Sequence, residues 1–139
     1  MGHVWEDEKV AVVVREDLAT WQKLNVTAFV VSGIGTARPE LVGDPYEDAS
    51  GAQYLPMLAL PVLVFGADGP AIRRAFERAV SRDLRVAVYT EELFATGNDL
   101  DNRAAVRAVG SAQLALVGIA VAGERRAVDK ALDKLTLHP

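Results

Sequence analysis

The chain contains no cysteine. Disulfides, thiolate-bound metals and cysteine nucleophiles are therefore outside its chemistry. Histidine is almost as scarce: His3 and His138 lie at opposite ends of the sequence, where chains commonly fray. That placement argues against a histidine-based triad or a zinc site, and the expectation is a chain with no metal and no cofactor. Long apolar runs are missing too. The longest, residues 55–65, is broken by Pro56 and Pro61 and falls well short of the roughly 20 residues that a bilayer crossing needs. Residues 1–8 carry Glu6, Asp7 and Glu8 where a signal peptide has a basic segment followed by an apolar one. Nor is there a cationic surplus, because 15 Lys and Arg face 19 Asp and Glu for a formal charge of −4. Broad phosphate-binding surfaces need clustered Lys and Arg. The expectations are a cytoplasmic location and neither membrane nor nucleic acid as a partner.

What the sequence does contain is enough for one core. Half of its 139 residues are apolar, and a chain of that size withdraws roughly two thirds of its extended surface from water. We read residues 1–139 as a single domain, with residues 1–8 as a flexible N-terminus.

Residues 9–15 (KVAVVVR) form a β-branched run that reads as a strand buried on both faces. Asp17 is placed to cap a helix whose Trp21, Leu24, Ala28 and Val31 make one apolar stripe, with Gly33 and Gly35 ending it. Proline and turn residues dominate residues 37–60, which predicts a long excursion carrying a short hairpin. A second strand follows at 61–65. Asp68 with Pro70 then opens a helix presenting Ile72, Ala75, Phe76, Ala79 and Val80 inward. Residues 84–89 and 113–121 read as further strands, and 124–135 as a last helix packed through Val128, Ala131 and Leu135. Residues 93–109 fit no single class. The alternation predicts a three-layer α/β/α domain around a four-stranded mixed sheet.

Without a usable histidine or cysteine, proton transfer or nucleophilic attack falls to carboxylates, lysine, tyrosine or hydroxyls. Gly33-Ile-Gly35-Thr-Ala-Arg38 resembles half of a dinucleotide fingerprint, but Arg38 stands at the third glycine and the segment follows a helix rather than a strand. Asp44, Glu47 and Asp48 read as a solvated acidic turn, as do Asp99 and Asp101, since calcium needs six to eight oxygens. On the first helix, Trp21, Asn25 and Ser32 project from nearly one side. Asn25 either faces a polar cavity or bonds backbone across the core. Lys23 is offset onto a neighbouring face.

These segments, in this order, resemble the type II peptidyl-tRNA hydrolase fold. The likeness begins with VVVREDL at 12–18, continues into a helix with Lys23 near that family's site lysine, and runs through the strand, helix and strand of 60–93 to the last strand and helix of 114–135. An uncharacterised sister family of unknown function, number two thousand, is more similar, through Asn25 and Ala28 in the first helix and Asp48 and Gly51 in the long loop. The hydrolase's Gln and His after the lysine fall near Thr27 and Val30, so those groups are missing. Its Asp-Ala-Gly-Arg-Thr segment corresponds loosely to residues 91–96, with Thr96 as the hydroxyl equivalent.

Fold does not carry function, which lives in the site. The resemblance implies a cleft in which a small acyl or amino-acid-like molecule is bound, with Asn25 and Ser32 hydrogen-bonding it, Lys23 or Arg15 attracting an anionic end, and Glu91 and Thr96 on the opposite wall. Whether the chain is an enzyme stays open at this point. A hydrolase or acyl transferase acting on an aminoacyl or peptidyl ester would use Lys23, Glu91 and Thr96. A third reading is a homodimer or other homo-oligomer joined through the apolar segment 54–58.

Overall fold

The computed structural model describes residues 6–139. His3 lies outside the described residues, and Glu8 already stands in the first strand.

That strand, β1 (Glu8–Arg15), is the centre of the sheet. Its side chains alternate between two cores: Val10, Val12 and Val14 point to one face, Ala11 and Val13 to the other, and all five are buried. Each buried valine of this kind stabilises the fold by about 1.5–3 kcal/mol. β4 (Val62–Ala67) pairs with β1 in parallel, Val12 opposite Val64. On the other side β6 (Leu116–Glu124) pairs antiparallel, Val12 opposite Ala120, and β5 (Arg85–Thr90) pairs antiparallel with β6.

A fifth strand corrects the expected four. β7 (Thr136–Leu137) pairs antiparallel with β4 at the edge, giving the order β5-β6-β1-β4-β7. Two residues carry no readable alternation, so this strand left no sequence signal.

The helix α1 (Thr20–Ala37) covers the Val10, Val12 and Val14 face through Val26, Val30 and Ile34. This is a different stripe from the expected one: Trp21 and Leu24 are exposed. Asp17 does not cap the helix, because its carboxylate binds Arg15 Nε at 2.5 Å. The N-terminus is instead closed by Gln22, whose Oε1 accepts from Ala19 N at 3.0 Å. Gly33 and Gly35 lie inside α1 rather than ending it. A Cβ on Gly33 would stand 3.2 Å from Ala87 Cβ, so glycine here lets the helix approach β5. The same placement removes any phosphate loop from this segment, since helix-interior amides are already bonded.

The opposite face is covered by α2 (Gly69–Ser81) and α4 (Arg125–Ala131). Asp68 Oδ1 caps α2 by accepting from Ala71 N at 2.9 Å, with Pro70 in the first turn as expected. Ile72, Ala75 and Ala79 face the core, whereas Phe76 is half-buried and Val80 exposed. Glu124 caps α4, which is shorter than the expected 124–135, and β6 begins at Leu116 rather than Gln113 because Ser111–Gln113 form a 3-10 turn.

The expected excursion carries its hairpin, β2 (Tyr46–Glu47) with β3 (Gln53–Tyr54). Gly51 takes φ 86° in the turn, a conformation that favours glycine. Asp48 organises that turn: Oδ1 accepts from Ser50 N and Ala52 N, and Oδ2 accepts from the Tyr54 hydroxyl at 2.7 Å. Of Asp44, Glu47 and Asp48, read as an acidic turn, the last thus spends its carboxylate on the loop itself. No helix among the described residues is long and apolar enough to cross a membrane.

Candidate functional site

The strands β1, β4 and β5 all run in one direction, because β1 and β4 are parallel and both β1 and β5 are antiparallel to β6. Their carboxyl ends share one edge of the sheet, which is where open α/β sheets place ligands. Past the end of β5 the chain makes a 3-10 turn, Glu91–Phe94, and then α3 (Asp99–Arg107), capped by Asn98. This excursion leans over the exposed side of α1. Between them lies a cleft of about 350 Å³.

One wall comes from α1. Trp21, Asn25 and Phe29, spaced by four, stand on a single line along the helix. The floor is Tyr89, the last but one residue of β5, and the facing wall is Leu93 and Phe94 with Thr96, Asn98 and Asn102. Four aromatic rings are mutually packed. Trp21 meets Phe94 edge to face at 6.0 Å, Phe29 meets Tyr89 at 5.8 Å, and Tyr89 meets Phe94 at 5.2 Å. Such pairs hold one another in place beyond the area they bury. Trp21 and Phe29 remain more than half exposed, at 62% and 54%. Two large rings on a rigid helix, half out of the core and lining a concavity, are a ready surface for a ligand.

The polar groups in the cleft are almost all neutral. Asn25 Nδ2 donates to the Tyr89 hydroxyl over a long 3.4 Å. Burial pushes the Tyr89 phenol above its ordinary pKa, with the Asn25 contact opposing, so the hydroxyl stays un-ionised. Thr96 Oγ1 donates its one proton to Asn102 Oδ1 and lies 3.0 Å from the Leu93 carbonyl. Asn98 is spent on its own helix, capping Asp101 N and donating to the Asp101 carboxylate. Asp99, the one charged lining residue, is paired with Arg103 at 2.8 Å. The cleft continues between α1 and α3 toward Val106 and Arg107.

Of the six residues singled out in the sequence, the structure brings Asn25 and Thr96 together in this cleft. Ser32 does not reach it; its hydroxyl donates to Phe29 O at 2.6 Å on the exposed side of α1. Arg15 lies beside Asp17 and 3.6 Å from Glu91. The hydrogen bond that Arg15 donates to Asp17, against some burial and with help from Glu91, raises the Arg15 pKa above its usual value. Arg15 and Glu91 are therefore partners of each other rather than opposite walls. Lys23 turns to a different part of the edge, where its Nζ lies 3.0 Å from His138 Nε2. Gly66 makes room for that contact, since a Cβ there would stand 3.3 Å from the imidazole and 3.1 Å from Glu16 Cγ. His138 itself is held by its N–H, which donates to Val64 O at 2.9 Å. This histidine corrects the expectation of a frayed end.

Residues 8–139 match the model of the family described as protein of unknown function (DUF2000). The chain belongs to that family. A solved structure of a protein of unknown function from Agrobacterium tumefaciens strain C58 is 41% identical, superposes with a TM-score of 0.91, and covers 96% of this chain and 98% of its own. No curated protein matches.

In this DUF2000 chain, sequence reasoning missed Tyr89, Phe94 and Asn102. A signal existed for the helix side of the cleft: Phe29 falls four residues after Asn25 and eight after Trp21, so an aromatic line was readable once Asn25 was chosen. Nothing local could show that residues 93–109 fold back over that line.

Proposed function

We propose that this DUF2000 protein is a cytoplasmic small-molecule binder with a type II peptidyl-tRNA hydrolase-like fold, and that its ligand is a small acyl or amino-acid-like molecule held in the cleft between α1 and α3. One observation carries the reading: half-exposed Trp21 and Phe29 flank Asn25 on one line of α1 and face Phe94 and Asn102 across about 350 Å³. Apolar walls with a few convergent polar groups are the usual makeup of a ligand site. Thr96 serves by fixing Asn102 in place. With Lys23 and Arg15 engaged elsewhere along the edge, an anionic end of the ligand would be met by Arg107 at the outer mouth. Native mass spectrometry against a library of acyl and amino-acid derivatives tests this. Retained ligand in the wild type, lost in Trp21→Ala, is the expected result; no retention by either overturns it.

A second reading, hydrolysis or acyl transfer at an aminoacyl or peptidyl ester, is favoured by the Lys23–His138 contact of 3.0 Å, which sets two proton-carrying groups together at the sheet edge. Release of amino acid from charged or peptidyl tRNA, abolished in Lys23→Met, is its test. The homodimer reading draws on exposed Tyr54, Leu55 and Met57, and equilibrium sedimentation checks it.

A further inference from the structure

The cleft's polar atoms narrow the ligand further than its shape does. Asn25 uses Nδ2 on the Tyr89 hydroxyl, and Oδ1 has no protein partner among the described residues. Asn102 is the reverse: Oδ1 accepts from Thr96, and Nδ2 has no such partner. The Tyr89 hydroxyl receives the Asn25 donor and still has its own proton to give. One acceptor and two donors are thus left over at the inner end of the cleft, held by α1, α3 and β5. Among the described residues that line the cleft the one ionised side chain is Asp99, and it is engaged by Arg103. Around them stand the rings of Trp21, Phe29 and Phe94, more aromatic surface than an aliphatic chain requires.

Resting on the small-molecule reading above, we infer that the inner end of the cleft takes a flat, uncharged ring bearing an adjacent N–H and C=O, a cyclic amide or its heteroaromatic equivalent. The ring N–H donates to Asn25 Oδ1. The ring carbonyl accepts from Asn102 Nδ2, with the Tyr89 hydroxyl as the second available donor. One face of the ring lies along the aromatic wall that the exposed rings of Trp21 and Phe29 present. A carboxylate at this end would leave Asn25 Oδ1 facing an oxygen with no proton, and a positive charge would find no counter-ion that is not already paired. Sites built to hydrogen-bond a particular N–H reject the analogue that lacks it more sharply than apolar pockets reject a change of size.

A lactam and its lactone test the donor and leave the shape unchanged. Isoindolin-1-one and phthalide are flat bicycles that differ by N–H against ring oxygen. Both are titrated into isotope-labelled protein while the side-chain amide signals of Asn25 and Asn102 and the indole signal of Trp21 are followed. The expected result is binding of the lactam with shifts at all three groups, and binding of the lactone about tenfold weaker or worse, as loss of one well-made hydrogen bond implies. Asn25→Ala should bring the two affinities together. Equal affinities in the wild type overturn the cyclic-amide inference while leaving the cleft as a ligand site. Failure of both compounds to shift Trp21 overturns the inference and counts against the cleft itself.

Discussion

Val26 Cγ1 fills the space that a side chain on Gly118 would need: a Cβ built on that glycine falls 2.3 Å away. Val26 is fully buried on α1 and Gly118 lies in β6 opposite Val14, so the helix reaches the sheet only because this position is bare. Gly118→Ala should destabilise the domain by about 1–3 kcal/mol, the usual cost of overpacking. Gly35 gives the contrast. It sits inside α1 with nothing within 4 Å of its missing Cβ, so Gly35→Ala should stabilise by about 0.5–1 kcal/mol through helix propensity. Urea denaturation of both variants measures the two signs, and a stabilised Gly118→Ala would mean that Val26 does not pack against Gly118.

Thr90 is buried, at 1% exposure, and its hydroxyl has no hydrogen-bond partner among the described residues. It is the last residue of β5, immediately before the chain turns into the wall of the cleft. Valine has the same shape without the polar atom. Thr90→Val should raise stability by about 1–2 kcal/mol by removing an uncompensated desolvation penalty. A loss of stability in the same denaturation experiment would show that the hydroxyl has a partner after all.

Much of the fold was legible because its strands are short apolar runs between strong turn signals, and Asp68-Gly69-Pro70 announces α2 by chemistry alone. The face of α1 was not. Apolar residues surround that helix, since Trp21, Leu24 and Phe29 point out while Val26, Val30 and Ile34 point in, so two stripes compete and composition does not choose between them. Two of the outward residues, Trp21 and Phe29, are part of the cleft. Site residues drawn from the resemblance scattered along the sheet edge, because Lys23 and Asn25 are two residues apart and a helix separates such neighbours by about 200°.

Phe76 shows the same limit on α2. The periodicity puts it on the inner stripe with Ile72 and Ala79, but it is half-buried and its ring carries the Arg73 guanidinium at 5.7 Å. Phe76→Ala should therefore cost about 2 kcal/mol, below the 3–5 kcal/mol typical of a fully enclosed phenylalanine. Denaturation giving more than about 4 kcal/mol would restore it to the core.

Asp48 makes the hairpin sensitive to acid. The hydrogen bond from Tyr54, followed by those from the backbone of Ala52 and Ser50, lowers its carboxyl pKa below the ordinary value. A depressed pKa means that the ordering of this turn is complete above the unfolded value of about 3.9 and is lost as pH falls through the lower folded value. The Ala52 amide resonance, followed from pH 6 to pH 2 at roughly half-unit steps, should move with a midpoint below about 3.9. A midpoint at or above that value would remove Asp48 as the organiser of the loop.

Asn25 is where stability and binding can be separated. Its single side-chain hydrogen bond among the described residues is the 3.4 Å contact to Tyr89, at the long limit of such bonds, and the side chain is half-buried on a helix that carries an apolar line on either side of it. Leucine matches it roughly in volume and is a better helix former. Replacing it deprives the Tyr89 hydroxyl of one weak donor and leaves that hydroxyl still bordering the cleft, so Asn25→Leu should change stability by less than about 1 kcal/mol. The same change removes the acceptor that meets a ring N–H and should weaken lactam binding by tenfold or more. If Asn25 serves the fold instead, the outcome reverses: leucine would strand a buried partner, cost about 1–3 kcal/mol, and leave affinity untouched. Thermal unfolding and the lactam titration on this one variant therefore decide whether Asn25 belongs to the binding site or to the structure that supports it.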